Sequence, residues 1–450
     1  MAVLGAGLAG LSTAHHVGGG DALVIEREAR VGGLTKTEAR GEFLFDHTGH
    51  WLHLRDAEMR RWAEGLLAGR FIEVERKARI YSHGRFTRYP YQSHAYGLPP
   101  EVAKECVLGF VDAWTRRQAA AAAGTPLPEP ENFDEWCRFH YGEGISRHFM
   151  VPYNCKLWGV PPTEITAAWC DRFVPKPNLA EVVGGAVGAN EAEVGYNVRF
   201  LYPADGGIEE LPRAIARTLP EESVHTARAP SAIDWRRRVL RFGGGGEGEA
   251  LRYDRLVSSI PLPGLVDLCE DVPDGVRAAR ARLRATSICY LNVGIKFRQE
   301  QDFHWLYVPE ERLPFYRVGV FSNAAPHMAP KGRGSLYVEL APRGAFDRAD
   351  VLRRVIDGLV EIGLIRRAAD VLFADFREIP VAYVIFDHHY FEATATIQGF
   401  LKEAGIDSIG RFGRWTYNGM EDALLDGRDA ARRWREGGAP RGIPAPAARP

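Results

Sequence analysis

The sequence predicts an α/β fold of two or three domains, built on a parallel-sheet unit that the chain leaves and later re-enters. Three observations lead there. The N-terminus reads strand, glycine turn, helix, strand. A helix-rich stretch and then a run of alternating apolar strands follow, before strand–turn–helix patterns resume near the C-terminus. The length, 450 residues, is too great for one core and fits several units of about 150 residues.

The first unit begins with the short apolar strand AVLG and the turn GAGLAG, which places Gly5, Gly7 and Gly10 at dinucleotide-binding spacing. Gly5 permits the tight turn, Gly7 lets a pyrophosphate approach the backbone, and Gly10 lets helix and strand pack closely. The helix LSTAHHVGG follows and offers its N-terminal N–H groups to phosphate. A second strand, ALVIE, ends at Glu26, where a carboxylate can accept from both ribose hydroxyls of an adenosine. A glycine turn alone would say little, but strand, helix, second strand and terminal acid coincide here.

REARVGGLTKTEARGEFLFDHTGHWLHL comes next, with Gly32, Gly33 and Leu34 just beyond the acidic strand end. A simple NAD domain has no need of this extension. A flavin domain uses one to pass the ribityl chain, which points to FAD. The loop DHTGH carries His50, placed for the flavin face or for a structural role.

The insertion starts near residue 80. YSHGRFTRYPYQ reads as extended and aromatic, Pro99 to Ala123 as helical, PLPEPENF as a linker and FDEWCRFHYG as helical again. HFMVPYNCKLWGV packs aromatics, Asn154 and Lys156 together, as a ligand pocket or a mixed core would. RFLYPADGGIEELPRAIARTL then reads as a turn feeding an amphipathic helix, and YDRLVSSIP as a strand of the first unit. Residues 243–250 read as an exposed hairpin loop, and 284–322 as strands of a second sheet. A helix is expected from Ala349. GRFGRWTYNGMEDALLDGRDAARRWREGG returns to the first unit as a glycine turn and a long helix. The expected domains are 1–80, 195–283 and 376–438 for the nucleotide-binding unit, 81–194 for the helical insertion and 284–375 for the sheet. The proline- and alanine-rich 439–450 reads as a disordered tail.

Net charge is −1, which gives no electrostatic footprint for nucleic acid or a membrane surface. Six cysteines without a C-x-x-C pair argue against a zinc site or disulfide scaffold and suit a reducing, cytoplasmic setting. MAVLGAGLAGL lacks the basic start of a signal peptide, and no apolar run is long enough to span a bilayer.

HWLYVPEERLPFYRVGVFSNAAP, residues 304–326, reads as strand, proline-closed turn, strand, with Trp305, Tyr307 and Arg317 on it. An arginine fork matches phosphate oxygens, and phenol and indole rings border a sugar or a flat ring. Arg172 lies in a distant segment, so two arginines could clamp one diphosphate, although each alone could equally form a surface salt bridge. Phe149 and Tyr89 could stack on a base, with Gln92 and Asn154 on its edge. A nucleotide-linked substrate beside a flavin follows.

GAGLAG, VGGLTKT, TGHWLH, YPYQ, HFMVPYNCKLWGVPPTEITAAW, PNLAEVVGG, YNVRFLYPADGG, WLYVPEERLPFYRVGVFSN, FDHHY and GRFGRWTY together resemble the UDP-galactopyranose mutase family, in its larger eukaryotic-type form. The resemblance covers most of the chain and lies within the amine oxidase and protoporphyrinogen oxidase-like superfamily. It implies a discontinuous Rossmann-like FAD domain, a helical insertion and a multistranded antiparallel substrate sheet. It implies an isomerase in which reduced FAD, through its N5, is the covalent catalyst at the anomeric carbon of an NDP-sugar. Such an enzyme needs an external reductant, NAD(P)H or a reductase, but consumes none per turnover. Carried over residue by residue, Arg172 and Arg317 match the diphosphate clamp, and Asn197 an asparagine beside it. Tyr307, Tyr390 and Tyr417 match tyrosines around diphosphate and sugar. Trp305 matches a sugar-side tryptophan, and Tyr89, Gln92, Phe149 and Asn154 the uridine pocket. His50 and Arg411 match flavin contacts, and Glu421 stands where the larger branch has an asparagine. Thr48 in place of a glycine and Val151 in place of an arginine also depart from the pattern, which leaves the sugar more open than the chemistry. The alternative is an oxidase of the same superfamily acting on an amine, a porphyrinogen or a modified sugar.

Overall fold

The computed structural model describes residues 1–18, 20–170, 174–190, 198–243, 248–340 and 347–437. Arg172, Asn197, residues 244–247 of the expected 243–250 loop and the 439–450 tail lie outside the described residues.

Five parallel strands form the first sheet, in the spatial order Ile406–Ser408, Leu256–Ser258, Ala2–Leu4, Leu23–Ile25, Val224–His225. All are short; the inner strands Ala2–Leu4 and Leu256–Ser258 are buried throughout, while the edge strand Val224–His225 is half-buried. The strands come from three separate stretches of chain. Helix Leu8–Val17 packs against helix Met420–Arg435, near the other end of the sequence. Gly427 permits the approach, because a Cβ there would collide with Ala9 O and Ser12.

The helical insertion is built on the pair Pro100–Ala122 and Phe133–Ile145. Gly109 faces Gly142 and Gly144 across this pair, and a Cβ on any of the three would overlap the facing backbone. Helix Val151–Trp158 then carries the insertion back onto the second sheet.

That second sheet has seven strands in the order Val371–Val384, Ala285–Ile295, Gly334–Leu340, Arg317–Val320, Trp305–Tyr307, Ala78–Ser82, Arg85–Arg88. All neighbours are antiparallel except Trp305–Tyr307 with Ala78–Ser82, which run parallel. Two of the expected boundaries fall inside these strands. Residue 80/81 cuts Ala78–Ser82, and 375/376 cuts Val371–Val384. Hydrogen-bonded pairing carries both strands across the division that composition alone suggested.

The period-2 alternation of a strand sorts this sheet into two faces. Leu306, Val318, Val320, Leu336, Val338 and Leu340 form one core with Val355 and Leu359 of helix Arg348–Glu361. Full burial stabilises by about 1.5–3 kcal/mol per side chain of this size. Trp305, Tyr307, Arg317, Gly319, Tyr337 and Glu339 point the other way by the same alternation, and register aligns them in rows. Tyr307 pairs with Arg317, Arg317 with Glu339 and Glu339 with Tyr290. Trp305 pairs with Gly319 and Gly319 with Tyr337, whose ring fills the space a Cβ on Gly319 would need. Among the described residues, no helix is long and apolar enough to cross a membrane.

Candidate active site

The glycine turn sits at the C-terminal ends of the parallel strands. Gly5 adopts φ +94°, and a Cβ on it would stand 2.6 Å from Ser259 Oγ. A Cβ on Gly10 would overlap Gly5 O, so this position joins helix to strand. Gly7 is different. It caps helix Leu8–Val17 with no side-chain hydrogen bond, and a Cβ there would meet nothing nearer than Gly33 Cα at 3.9 Å. The helix N-terminus is thus left open toward an anion. Glu26 is buried and accepts from Ala6 N at 2.7 Å and Glu28 N at 2.8 Å. Each carboxylate oxygen keeps a second lone pair for a ribose hydroxyl. Gly33 and Leu34 follow Gly32, whose N–H donates to Ala6 O at 2.8 Å, so the extension is tied beside the glycine turn.

This arrangement separates two mutations. Gly7→Leu should leave the fold intact and weaken FAD binding at least tenfold, about 1.4 kcal/mol. Gly10→Ala should lower thermal stability by forcing helix from strand. Flavin absorbance per protein, read beside a thermal melt, distinguishes them. Equal melting loss in both variants would deny Gly7 its separate role.

The loop after Asp46 leads to the second sheet. Thr48 takes φ +67°, a region costly for a β-branched residue and open to glycine. Gly49 has no room for a Cβ because the Tyr337 hydroxyl occupies it. His50 follows, and its buried Nδ1 has no partner. Burial pushes the His50 imidazole down to about 4, and the charges of His47, Arg411 and Arg317 add to this. At neutral pH the ring is neutral, with one nitrogen donating and one accepting.

Arg317 stands opposite Tyr307. Its Nε donates to Glu339 Oε2 at 2.8 Å and its Nη2 to Glu339 Oε1 at 2.7 Å and to Tyr383 Oη at 3.0 Å. Glu339 is completely buried. Burial works against the Arg317 charge, but the Glu339 carboxylate outweighs it and holds the guanidinium well above its usual pKa. Arg317 is therefore held in a pre-aligned ion pair through Nε and Nη2. Around it the rings of Tyr89 and Tyr307 lie 5.0 Å apart, Tyr153 and Tyr307 5.4 Å apart, and Tyr383 and Tyr417 6.3 Å apart. Arg411 lies over Tyr417 at 4.8 Å and donates to Asn418 O and Ala382 O. Burial pushes the Tyr383 phenol up to about 12 and raises that of Tyr307 further, so both remain hydroxyl donors at neutral pH.

Other expected residues are placed differently. Asn154 donates to Met150 O at 2.7 Å and accepts from Trp158 Nε1 at 3.1 Å, so its amide serves its own helix. Phe149 is sandwiched between Tyr91 at 4.9 Å and Tyr153 at 5.3 Å, both nearly parallel, which covers its two faces. Tyr153 is the ring of this stack that reaches Tyr307. Gln92 is buried in the turn Tyr91–Ser93. Trp305 stacks on Trp51 at 6.2 Å. The Tyr390 hydroxyl donates to Trp415 O at 2.6 Å and holds the turn carrying Arg411 and Tyr417. Glu421 accepts from Asp56 N at 2.7 Å and Arg55 Nε at 3.1 Å, which ties down the 55–56 loop. Sequence reasoning passed over Tyr153, Tyr383 and Glu339. A cavity of about 680 Å³ also lies at the opposite ends of the parallel strands, lined by Asp21, Arg237, Arg252 and Tyr253, far from this chemistry.

These residues fit a flavin dinucleotide. The uncapped helix behind Gly7 and the acid at Glu26 suit its adenosine half. Toward the second sheet, several buried polar atoms of the described residues have no protein partner, among them His50 Nδ1, Arg411 Nε and Asn418 Oδ1. Buried polar atoms in a native protein normally find partners, and a ring system with exposed nitrogens and carbonyls offers them.

The chain resembles a crystal structure of reduced UDP-galactopyranose mutase, with TM-score 0.89 and 25% identity over 97% of this chain and 95% of that one. A putative protoporphyrinogen oxidase from Exiguobacterium sp. 255-15 gives TM-score 0.70 at 14% identity, covering 97% and 98%. Cyclohexylamine oxidase from Brevibacterium oxydans gives 0.68 at 16%, with the same coverage. The last two show the fold alone. The family model described as flavin-containing amine oxidoreductase matches residues 8–434. The chain is thus an FAD-dependent enzyme and belongs to the flavin-containing amine oxidoreductase family.

Proposed function

We propose that the protein is an NDP-sugar mutase that interconverts UDP-galactopyranose and UDP-galactofuranose. One observation carries this reading: a face of Tyr307, Arg317, Tyr383 and Tyr417 beside His50, in a chain similar along nearly its whole length to a UDP-galactopyranose mutase. Bound and reduced, FAD supplies a nucleophilic nitrogen for the anomeric carbon. The protein's part is to hold the diphosphate and exclude water. In this reading Arg317 Nη1 contacts the diphosphate, with Arg172 as its partner from the insertion, and the phenols of Tyr307, Tyr383 and Tyr417 donate to phosphate oxygens. Neutral His50 holds its proton on one ring nitrogen and contacts the flavin. Tyr153, rather than Phe149, offers a base its ring. Residues 284–375 with the strands at 78–88 make the sugar side, and an external reductant such as NAD(P)H or a reductase primes the flavin once.

The test is anaerobic. The enzyme is photoreduced, UDP-galactopyranose is added, and product and flavin spectrum are followed together. The expected result is many turnovers of UDP-galactofuranose while the flavin stays reduced. Thr48, Val151 and Glu421 place other NDP-hexoses and pentoses in the same assay. If none isomerises, and an amine or porphyrinogen bleaches the oxidised enzyme, the protein is an oxidase.

A further inference from the structure

Lys156 has no part in the chemistry above, yet three backbone carbonyls converge on it. Its Nζ donates to Val308 O at 3.0 Å, to Glu310 O at 2.9 Å and to Phe315 O. These carbonyls belong to the turn between strands Trp305–Tyr307 and Arg317–Val320. Three carbonyl dipoles aimed at one point repel each other unless a donor sits among them; burial pushes the Lys156 amine down to about 7, against the pull of Glu310 and Glu311, and its protonated form has one N–H for each carbonyl. The same helix, Val151–Trp158, presents Tyr153 three residues earlier, on the neighbouring face. The Tyr153 ring meets Tyr307 at 5.4 Å and Tyr316 at 6.2 Å. Ring and ammonium thus grip one hairpin, the ring at its strands and the ammonium at its turn. Two further ties hold the turn from outside. Glu310 accepts from His83 N at 2.5 Å, and Arg312 pairs with Glu361.

We infer that Lys156 is a positioning residue whose ammonium sets the turn 308–316 and thereby the placement of Tyr307 and Arg317 on the ligand face. Through this contact, beside the Tyr153 ring, the helical insertion bears on the face that carries Tyr307 and Arg317. The ligand consequence rests on the mutase reading; the structural consequence does not.

The test uses the full-length holoenzyme with Lys156→Met, which keeps the stem and removes the donors, and Lys156→Arg, which keeps the charge in a different shape. In the wild-type protein, the hydrogen-bonded amides of Val308, Leu313 and Tyr316 should exchange hydrogen as slowly as the flanking strands. In Lys156→Met they should exchange faster, with FAD content and flavin spectrum unchanged. Affinity for UDP alone should fall, and kcat/KM for the sugar nucleotide should drop about 10²-fold, the scale for a displacement near 1 Å. Lys156→Arg should recover part of both. Fast wild-type exchange at the amides of Val308, Leu313 and Tyr316 overturns the proposal, which needs no variant to fold. So does a Lys156→Met protein with wild-type exchange, or with UDP affinity and kcat/KM within twofold. If the wild type isomerises no NDP-sugar, the mutase reading falls, while hydrogen exchange in the two proteins still decides the role of Lys156.

Discussion

Replacing Arg317 with alanine should cost the protein both its turnover and several kcal/mol of stability. The second effect comes from Glu339, which is completely buried and whose carboxylate Arg317 engages with two nitrogens. Removing the guanidinium leaves a buried charge without its counter-ion, a loss of about 3–5 kcal/mol. The first effect comes from the ligand side, where losing a donor to a desolvated phosphate lowers rate by about 10²–10³-fold. The two effects part in the double variant. Arg317→Ala with Glu339→Gln has no buried charge to pair, so it should recover most of the stability and none of the activity. Arg317→Lys should keep part of the activity, because a point charge satisfies Glu339 or the phosphate but cannot bridge both with a fork. Denaturant midpoints and steady-state kinetics on the four proteins measure this. If Arg317→Ala melts like wild type, the ion pair is not what holds Glu339. If the double variant recovers kcat/KM, Arg317 is not in the site.

What was legible in the sequence is what local spacing encodes. GAGLAG followed by a helix and a strand ending in Glu26 contains its own geometry, because the turn, the cap and the acid lie within 26 residues. HWLYVPEERLPFYRVGV reads correctly as a hairpin for the same reason, since alternation and a proline turn are local. The partners of Arg317 are not local. Glu339 is 22 residues away and Tyr383 is 66, and only strand register makes them neighbours. Nothing in GSLYVEL marks its glutamate as buried until Tyr316, Arg317 and Tyr290 close around it. The amide of Asn154 misleads in the opposite sense. A polar residue among aromatics looks like a ligand reader, yet Met150 O and Trp158 Nε1, each one helical turn away, already take it up. Phe149 looked open for stacking, but its two faces were filled by one ring from its own helical segment and one from a distant turn.

Stability should fall as pH drops from 6.5 toward 4, and replacing Asp46 should make that fall steeper. His304 is buried, and its Nδ1 accepts from Lys77 N at 3.1 Å, which fixes a neutral tautomer. Burial pushes both His304 and His50 down to about 4 from an ordinary 6.5. Below 6.5 the unfolded chain takes up protons that the folded protein refuses until about 4, so unfolding gains about 3 kcal/mol per histidine across that window. Asp46 runs the other way. It is fully buried, and burial raises its carboxyl to about 7 despite donors from Tyr202 Oη, Thr37 Oγ1 and Ile208 N. Above 3.8 the unfolded chain releases a proton that the folded protein keeps until about 7, so this group removes about 4 kcal/mol as pH rises through the window. The two trends oppose each other between pH 4 and 7, and the wild-type curve is the shallow difference. Asp46→Asn keeps the shape, and the two hydroxyls can turn to meet an amide. With the opposing group gone, urea midpoints of this variant should rise more steeply with pH than those of wild type. Parallel curves for the two proteins would mean that Asp46 is already ionised in the fold at acid pH, with its three donors outweighing its burial.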